Sequence, residues 1–206
     1  MDYEIERFIK ERNIKSLYHF TGVDNLELIL KYGLLSRDIL EEEDMDYYVN
    51  DEVRYDNRLD TICTSISFPN YKMFYKVRND CSDDLQWCVI EIDAQILAEK
   101  QCIFCKENAS SKNETSRNTY EKIGINGLRA LFDNSELRRE IGLPDYYTTN
   151  PQAEVLVEDE IPISYIKSIY FKGFIPTDIK RRYNSTFNLH INDNLFKYRF
   201  DYDYWR

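Results

Sequence analysis

The chain has 206 residues, 31% of them charged, with a net charge of −10. That length is enough for one compact domain with a real core. The acidic balance excludes a protein that coats nucleic acid non-specifically, because phosphate neutralisation drives such binding. No apolar run is long enough to span a bilayer, and the N-terminus MDYEIERFIK is charged rather than signal-like. The expectation is a single domain over 1–206, cytoplasmic, with no membrane.

Tyr3 to Arg12 has Ile5, Phe8 and Ile9 at helical spacing, which predicts a short amphipathic helix. Leu17 to Thr21, LYHFT, reads as a strand ending near His19. Val23, Leu26, Ile29 and Leu30 predict a helix that Gly33 terminates. The segment from Ser36 to Asp60 carries ten acidic and three basic residues. It reads as a long loop with some helix in its second half, where Arg54 and Arg58 would share a face.

Thr61 to Phe68, TICTSISF, reads as a strand, and Pro69 then opens a helix through NYKMFYKVR. Trp87 to Ile92 is a strand, and Asp93 is placed to cap a short helix from Ala94 to Glu99. Gln101 to Cys105 is another strand. Its Cys102 and Cys105 form a lone CxxC among five scattered cysteines, with two histidines in the whole chain. That set fits neither a disulfide framework nor a zinc site, so no metal is expected. Lys106 to Arg117 reads as a polar, flexible loop. Two helices broken by Gly124, Gly127 and Asn134 follow, over 120–132 and 135–141.

In YYTTNPQAEVLV, Pro151 bars a helix, and Val155 to Val157 read as a buried strand. Glu154 opens that strand. A carboxylate there is costly without partners or a role, although an edge-strand glutamate facing water gives the same pattern. Strands are expected over 166–171, 187–191 and 195–202. From Lys167 to Arg182 there are five basic residues and one acidic. Lys172, Arg181 and Arg182 in this strip could guide a nucleic-acid strand, though a solvated face reads the same way. Strands and helices mix without strict alternation, which favours an α+β fold with mostly antiparallel sheets.

Three stretches together resemble a known family. LYHFT with His19, the strand with Ser65 and Ser67 running into FPNYKMFY, and NPQAEVLV with Glu154 follow the order of ADP-ribosyltransferases. The chain is most similar to the DarT family of bacterial toxins, through YHFTGVDNLELILKYGLL, QAEVLV and PISYIKSIYF. The middle segment TSISFPNYKMFY stands where thymidine-modifying members carry a Gly-rich stretch, so the resemblance leaves the modified base open. It implies an α+β fold with split, mostly antiparallel sheets and flanking helices, and NAD as substrate. It implies transfer of ADP-ribose to a nucleobase of single-stranded DNA, with RNA or protein as alternative acceptors, and a macrodomain antitoxin as partner. A catalytically silent NAD- or ADP-ribose-binding module is the reading from a different class. By the resemblance, Glu154 and Arg58 are catalytic. His19, Thr21, Ser65 and Tyr75 bind the dinucleotide, with Arg54 as the reserve arginine.

Overall fold

A computed structural model describes residues 1–48, 57–80 and 85–205. Helix α1 (Tyr3–Glu11) is capped by the Asp2 carboxylate and buries Ile5, Phe8 and Ile9, as its periodicity predicts. Strand β1 (Ser16–Gly22) leads through a 3₁₀ turn into α2 (Leu26–Tyr32). Gly33 ends α2 at φ +90°, and a Cβ there would meet the Ile161 carbonyl oxygen at 2.5 Å, so only glycine fits. Next come β2 (Leu34–Leu35), α3 (Arg37–Glu42), β3 (Thr61–Ile66), α4 (Tyr71–Asp80) and β4 (Trp87–Asp93). They are followed by α5 (Ile96–Glu99), β5 (Cys102–Cys105), α6 (Lys112–Ser116), α7 (Gly124–Ala130) and α8 (Ser135–Ile141). The chain finishes with β6 (Glu154–Glu158), β7 (Glu160–Ile161), β8 (Ile166–Phe171), α9 (Thr177–Tyr183) and β9 (Leu189–Ile191).

Seven strands form one sheet in the order β5-β6-β3-β1-β4-β8-β9, and β2 pairs with β7. Among the described residues every pairing is antiparallel except β8 with β9. The sheet is split. Strand β1 runs in register with β4 from Ser16 to Gly22, but it meets β3 only at Leu17–Ile66 and Tyr18–Ser65. Beyond Tyr18 the two strands part, and the gap between them is the mouth of the site.

Strand alternation assigns the two faces. Leu17, Ile62, Ile66, Val155, Val157, Ile90 and Ile92 join the main core with residues of α1, α2, α5 and α7. Cys63, Ser65, Glu154, Leu156, Ile103 and Cys105 fall on the other face, by their direct cross-strand pairing. The same alternation puts Cys102 and Cys105, three residues apart on β5, on opposite faces. Both thiols are buried and pushed up to about 12 by that burial.

In the acidic segment the first half carries a helix, α3. The helix expected in its second half, with Arg54, falls on residues 49–56, which lie outside the described ones. Three other local expectations differ from the structure. Asp93 accepts from the Gln95 N–H at 2.9 Å, but the helix itself starts at Ile96 with Gln95 as its cap. Leu195 to Tyr202 is not a strand. It packs Leu195 and Phe196 through a 3₁₀ turn, and a second turn spans Tyr202–Trp205. Lys106 to Arg117 is not a loose loop. Glu114, 1% exposed, accepts from the Lys106 N–H at 2.8 Å and grips the Arg117 Nη1 with both oxygens. Its buried carboxylate anchors the whole segment.

Glu91 ties β1, β4 and β8 together. Burial works against its ionisation. Hydrogen bonds from Ser16 at 2.5 Å and Tyr170 at 2.8 Å, with the Lys167 ammonium, outweigh it and hold the carboxyl below its ordinary value. A lowered folded value contributes stability above the unfolded value, and that contribution disappears as pH falls through the folded one. Urea midpoints measured from about pH 6 to about pH 3 should therefore drop, and Glu91→Gln should flatten that slope. Parallel curves for the two proteins would contradict the assignment.

Candidate active site

Glu154 begins β6, which lies between β5 and β3, so the edge-strand reading does not hold. The residue is 6% exposed. Three donors converge on its carboxylate. Asn70 Nδ2 lies 2.8 Å and Asn108 Nδ2 3.1 Å from Oε1, and the Ala109 N–H lies 2.8 Å from Oε2. They arrive from separate places. Asn70 sits between β3 and α4, where its Oδ1 also accepts from the Met73 N–H. Asn108 and Ala109 belong to the segment anchored by Glu114. Donors on both oxygens keep the buried carboxylate oriented.

Two buried arginines fix the approach to Glu154. Arg138 on α8 donates to the carbonyls of Tyr147 at 2.7 Å and Pro144 at 2.9 Å, and to Thr149 Oγ1 at 3.1 Å. Burial, with the nearby Arg12 charge, pushes its pKa down to about 10, so it remains a cation at neutral pH. Arg199 donates to the carbonyls of Thr148 at 2.9 Å and Thr149 at 3.1 Å. Asp201 holds Arg199 through two bonds of 2.7 Å, and Trp205 Nε1 donates to the same carboxylate at 2.9 Å. The C-terminal segment is thus a brace for the turn before β6, which explains why it is not a strand.

Glu154 and His19 line one cavity in the gap between β1 and β3. Its enclosed part is about 180 Å³, smaller than the ~300–1,000 Å³ of typical ligand pockets, so a dinucleotide would extend into the mouth. His19 Nδ1 lies 2.8 Å from the Cys63 carbonyl oxygen. A carbonyl only accepts, so Nδ1 carries a proton toward it, and this bond fixes the ring against the cavity wall. Thr21 and Ser65 also line the cavity. Thr21 Oγ1 accepts from Asn25 at 2.9 Å, and Ser65 Oγ accepts from the Asn70 N–H at 3.2 Å. Asn25 further bonds Tyr48 through both backbone groups, at 2.7 and 2.9 Å, which draws Tyr47 and Tyr48 to the cavity wall.

Other expected site residues stand elsewhere. Arg58 does not line this cavity. Its guanidinium is bound by Asp60 at 2.8 and 2.7 Å and by Glu158 at 3.2 Å, and it borders a second cavity. Among the described residues, the arginine on the first cavity is Arg37, the opening residue of α3. Tyr75 is 64% exposed and does not line it. On α4 it is Tyr71, Phe74 and Val77 that face inward, and Tyr75 falls one residue past Phe74, about 100° around the helix. Lys172, Arg181 and Arg182 line neither cavity, and Arg182 is paired with Glu27 at 2.9 Å. Asn70, Asn108, Ala109 and Arg37 escaped the sequence reading. Only the N-capping position of Asn70 after Pro69 carried a local signal, and it pointed to a helix start rather than to a carboxylate.

A family model described as DarT, ssDNA thymidine ADP-ribosyltransferase, matches residues 18–184. No curated protein matches the chain in sequence. Among solved structures, Thermosipho africanus DarTG in complex with ADP-ribose superposes with a TM-score of 0.63 at 18% identity. The match covers 88% of this chain and 51% of that one, so this chain spans about half its length. Thermus sp. 2.9 DarT in complex with NAD+ gives a TM-score of 0.52 at 15% identity, over 89% of this chain and 98% of that one. The same DarT in complex with ADP-ribosylated ssDNA gives 0.52 at 16% identity, over 90% and 97%. At such identities the likeness establishes the fold, an α+β ADP-ribosyltransferase architecture.

Proposed function

The chain belongs to the DarT family, the ssDNA thymidine ADP-ribosyltransferases, and from that membership we propose that it transfers ADP-ribose from NAD to a thymine base in single-stranded DNA. The observation that supports this most is Glu154, buried and triply hydrogen-bonded, on a cavity shared with His19. NAD is the substrate here. Among the described residues no group of three or more His, Cys, Asp and Glu side chains is placed to hold a metal ion.

The roles follow from the chemistry. Breaking the bond from nicotinamide to C1′ sends its electron pair to the departing nicotinamide and leaves positive charge on the sugar. A carboxylate about 4 Å away at an effective dielectric near 20 stabilises that charge by roughly 4 kcal/mol, about a thousandfold in rate. Glu154 supplies that charge and also holds a ribose hydroxyl. In thymidine, N1 carries the deoxyribose, so N3 is the ring nitrogen with a proton to lose. N3 attacks C1′, and its proton passes to Glu154 and on to solvent. His19 and Thr21 serve the adenosine side, Ser65 the nicotinamide side, and Arg37 the diphosphate. Asn70 and Asn108 are positioning residues that keep the carboxylate aimed.

The wider setting is part of the same proposal. The 206 residues act as one domain, in the cytoplasm, and no described helix is long and apolar enough to cross a membrane. The protein is a toxin, held in check by a macrodomain partner that removes ADP-ribose.

Mass spectrometry of thymidine-containing single-stranded oligonucleotides, incubated with the protein and NAD, tests the function. A mass gain of one ADP-ribose on thymidine is the expected result. Modification of RNA or protein alone would overturn the acceptor assignment. Release of no nicotinamide under any condition would overturn the enzyme. Asn70→Asp probes the positioning role. It retains the cap on Met73 but sets a second carboxylate against Glu154. Like charges oppose each other's ionisation, so the acid limb of the pH–rate profile should move to higher pH. An unmoved limb would separate Asn70 from the reaction.

A further inference from the structure

A second cavity, of about 200 Å³, adjoins the first. Its wall carries three cations, Arg58, Arg117 and Lys122, together with the hydroxyl-bearing Thr115 and Thr119, and no carboxylate among the described lining residues. In a chain of net charge −10 a lining whose only described charged side chains are cations is a local exception. The acids that belong to these cations support them without lining the cavity. Glu114, its side chain 2% exposed, grips Arg117 through Nη1, and Asp60 and Glu158 hold Arg58. Lys122 Nζ donates to the Glu114 carbonyl at 2.9 Å. An ammonium has three N–H donors and a guanidinium five, so the bonds on Lys122 and Arg117 orient these two cations and leave capacity for an anion.

The cavity's position gives it a meaning. Ile103, Cys105 and Leu156 line it from the same face of the sheet that carries Glu154. Ala109 borders both cavities, and its N–H is the donor on Glu154 Oε2. The acceptor attacks C1′ from the side opposite the departing nicotinamide. With NAD along His19 and Arg37, a single strand must reach Glu154 from elsewhere, bringing its phosphates beside a buried negative charge.

We infer that the second cavity seats a backbone phosphate of the acceptor strand next to the nucleotide being modified, with Lys122 and Arg117 as its principal contacts. This inference rests on the proposed function and names the acceptor subsite of the same active centre. It also gives Arg58 a place on the acceptor side. The strip with Lys172, Arg181 and Arg182 plays no part in it.

The test uses the full chain and a fluorescent, thymidine-containing single-stranded oligonucleotide, read by anisotropy and by steady-state transfer. Lys122→Met should weaken oligonucleotide binding about tenfold at low salt and reduce the slope of log K against log salt by about 0.7, one single-strand phosphate contact. KM for NAD should stay within about twofold, and Lys122→Arg should restore binding. Neutral methylphosphonates placed one at a time beside the modified thymidine need no mutation. One position should cost the unmodified protein a similar factor or more, and should cost Lys122→Met distinctly less, since only the Arg117 contact is then left to lose. Equal affinity and equal salt slope in Lys122→Met, or no sensitive methylphosphonate position, would overturn the inference while transfer to DNA stands. An equal rise in KM for NAD would overturn it in favour of the dinucleotide's own diphosphate. Nicotinamide release with neither binding nor modification of DNA would overturn the function itself, and the subsite with it.

Discussion

Replacing Glu154 by glutamine should lower NAD turnover and base modification by about a thousandfold, the loss of roughly 4 kcal/mol of charge stabilisation in the transition state. The fold should survive with a measurable penalty, for a reason visible in the site. Asn70, Asn108 and the Ala109 N–H each bring a donor to Glu154. A glutamine oxygen can keep Asn70 and Asn108, but its NH₂ must then face the Ala109 N–H, donor against donor. One unsatisfied buried N–H costs about 1–3 kcal/mol. Urea unfolding of the variant should therefore show a lower midpoint with an unchanged slope, alongside the collapse in rate. Turnover within tenfold of the unsubstituted protein would remove Glu154 from the chemistry. Loss of cooperative unfolding would mean that the rate loss reports the fold instead.

Removing Arg199 should be the most damaging change to stability. Its side chain is 2% exposed and that of its partner Asp201 is 0% exposed. Arg199→Met leaves a buried carboxylate with the Trp205 N–H but without its cation, and it strips donors from the Thr148 and Thr149 carbonyls. Breaking a buried ion pair from one side costs about 3–5 kcal/mol, a large part of a marginal total. Because those carbonyls lie just before β6, activity should fall further than the unfolded fraction explains. Arg199→Met with Asp201→Asn should recover part of the stability, since the uncompensated charge is then gone. A single variant as stable as the parent would show that the brace is not needed. A double variant less stable than the single one would show that the charge is not the cause.

The elements that the sequence reading placed well are those whose signal is local. Helix α1 and strand β8 were legible from spacing alone, because amphipathic helices and buried strands repeat within a few residues. His19 and Glu154 were legible as members of an ordered set of motifs, and the fold brings both to one cavity. Tyr75 was misplaced by a single step around a helix, a difference that composition does not record. Lys106 to Arg117 looked like a free loop because its anchor, Glu114, is a charged residue buried against all usual expectation.

By itself the chain's order of residues determined the strands and helices, the family and the identity of the acidic group at its centre, since each depends on neighbours close in sequence. Tertiary structure alone decided what holds that group and which cations stand near it. Asn70 reaches Glu154 across 84 residues and Asn108 across 46. Arg37 lines the first cavity and Arg58 the second. Such meetings are set by where β1 parts from β3 and by how buried ion pairs pin the connecting segments. Those are properties of the packed chain, and no periodicity along it encodes them.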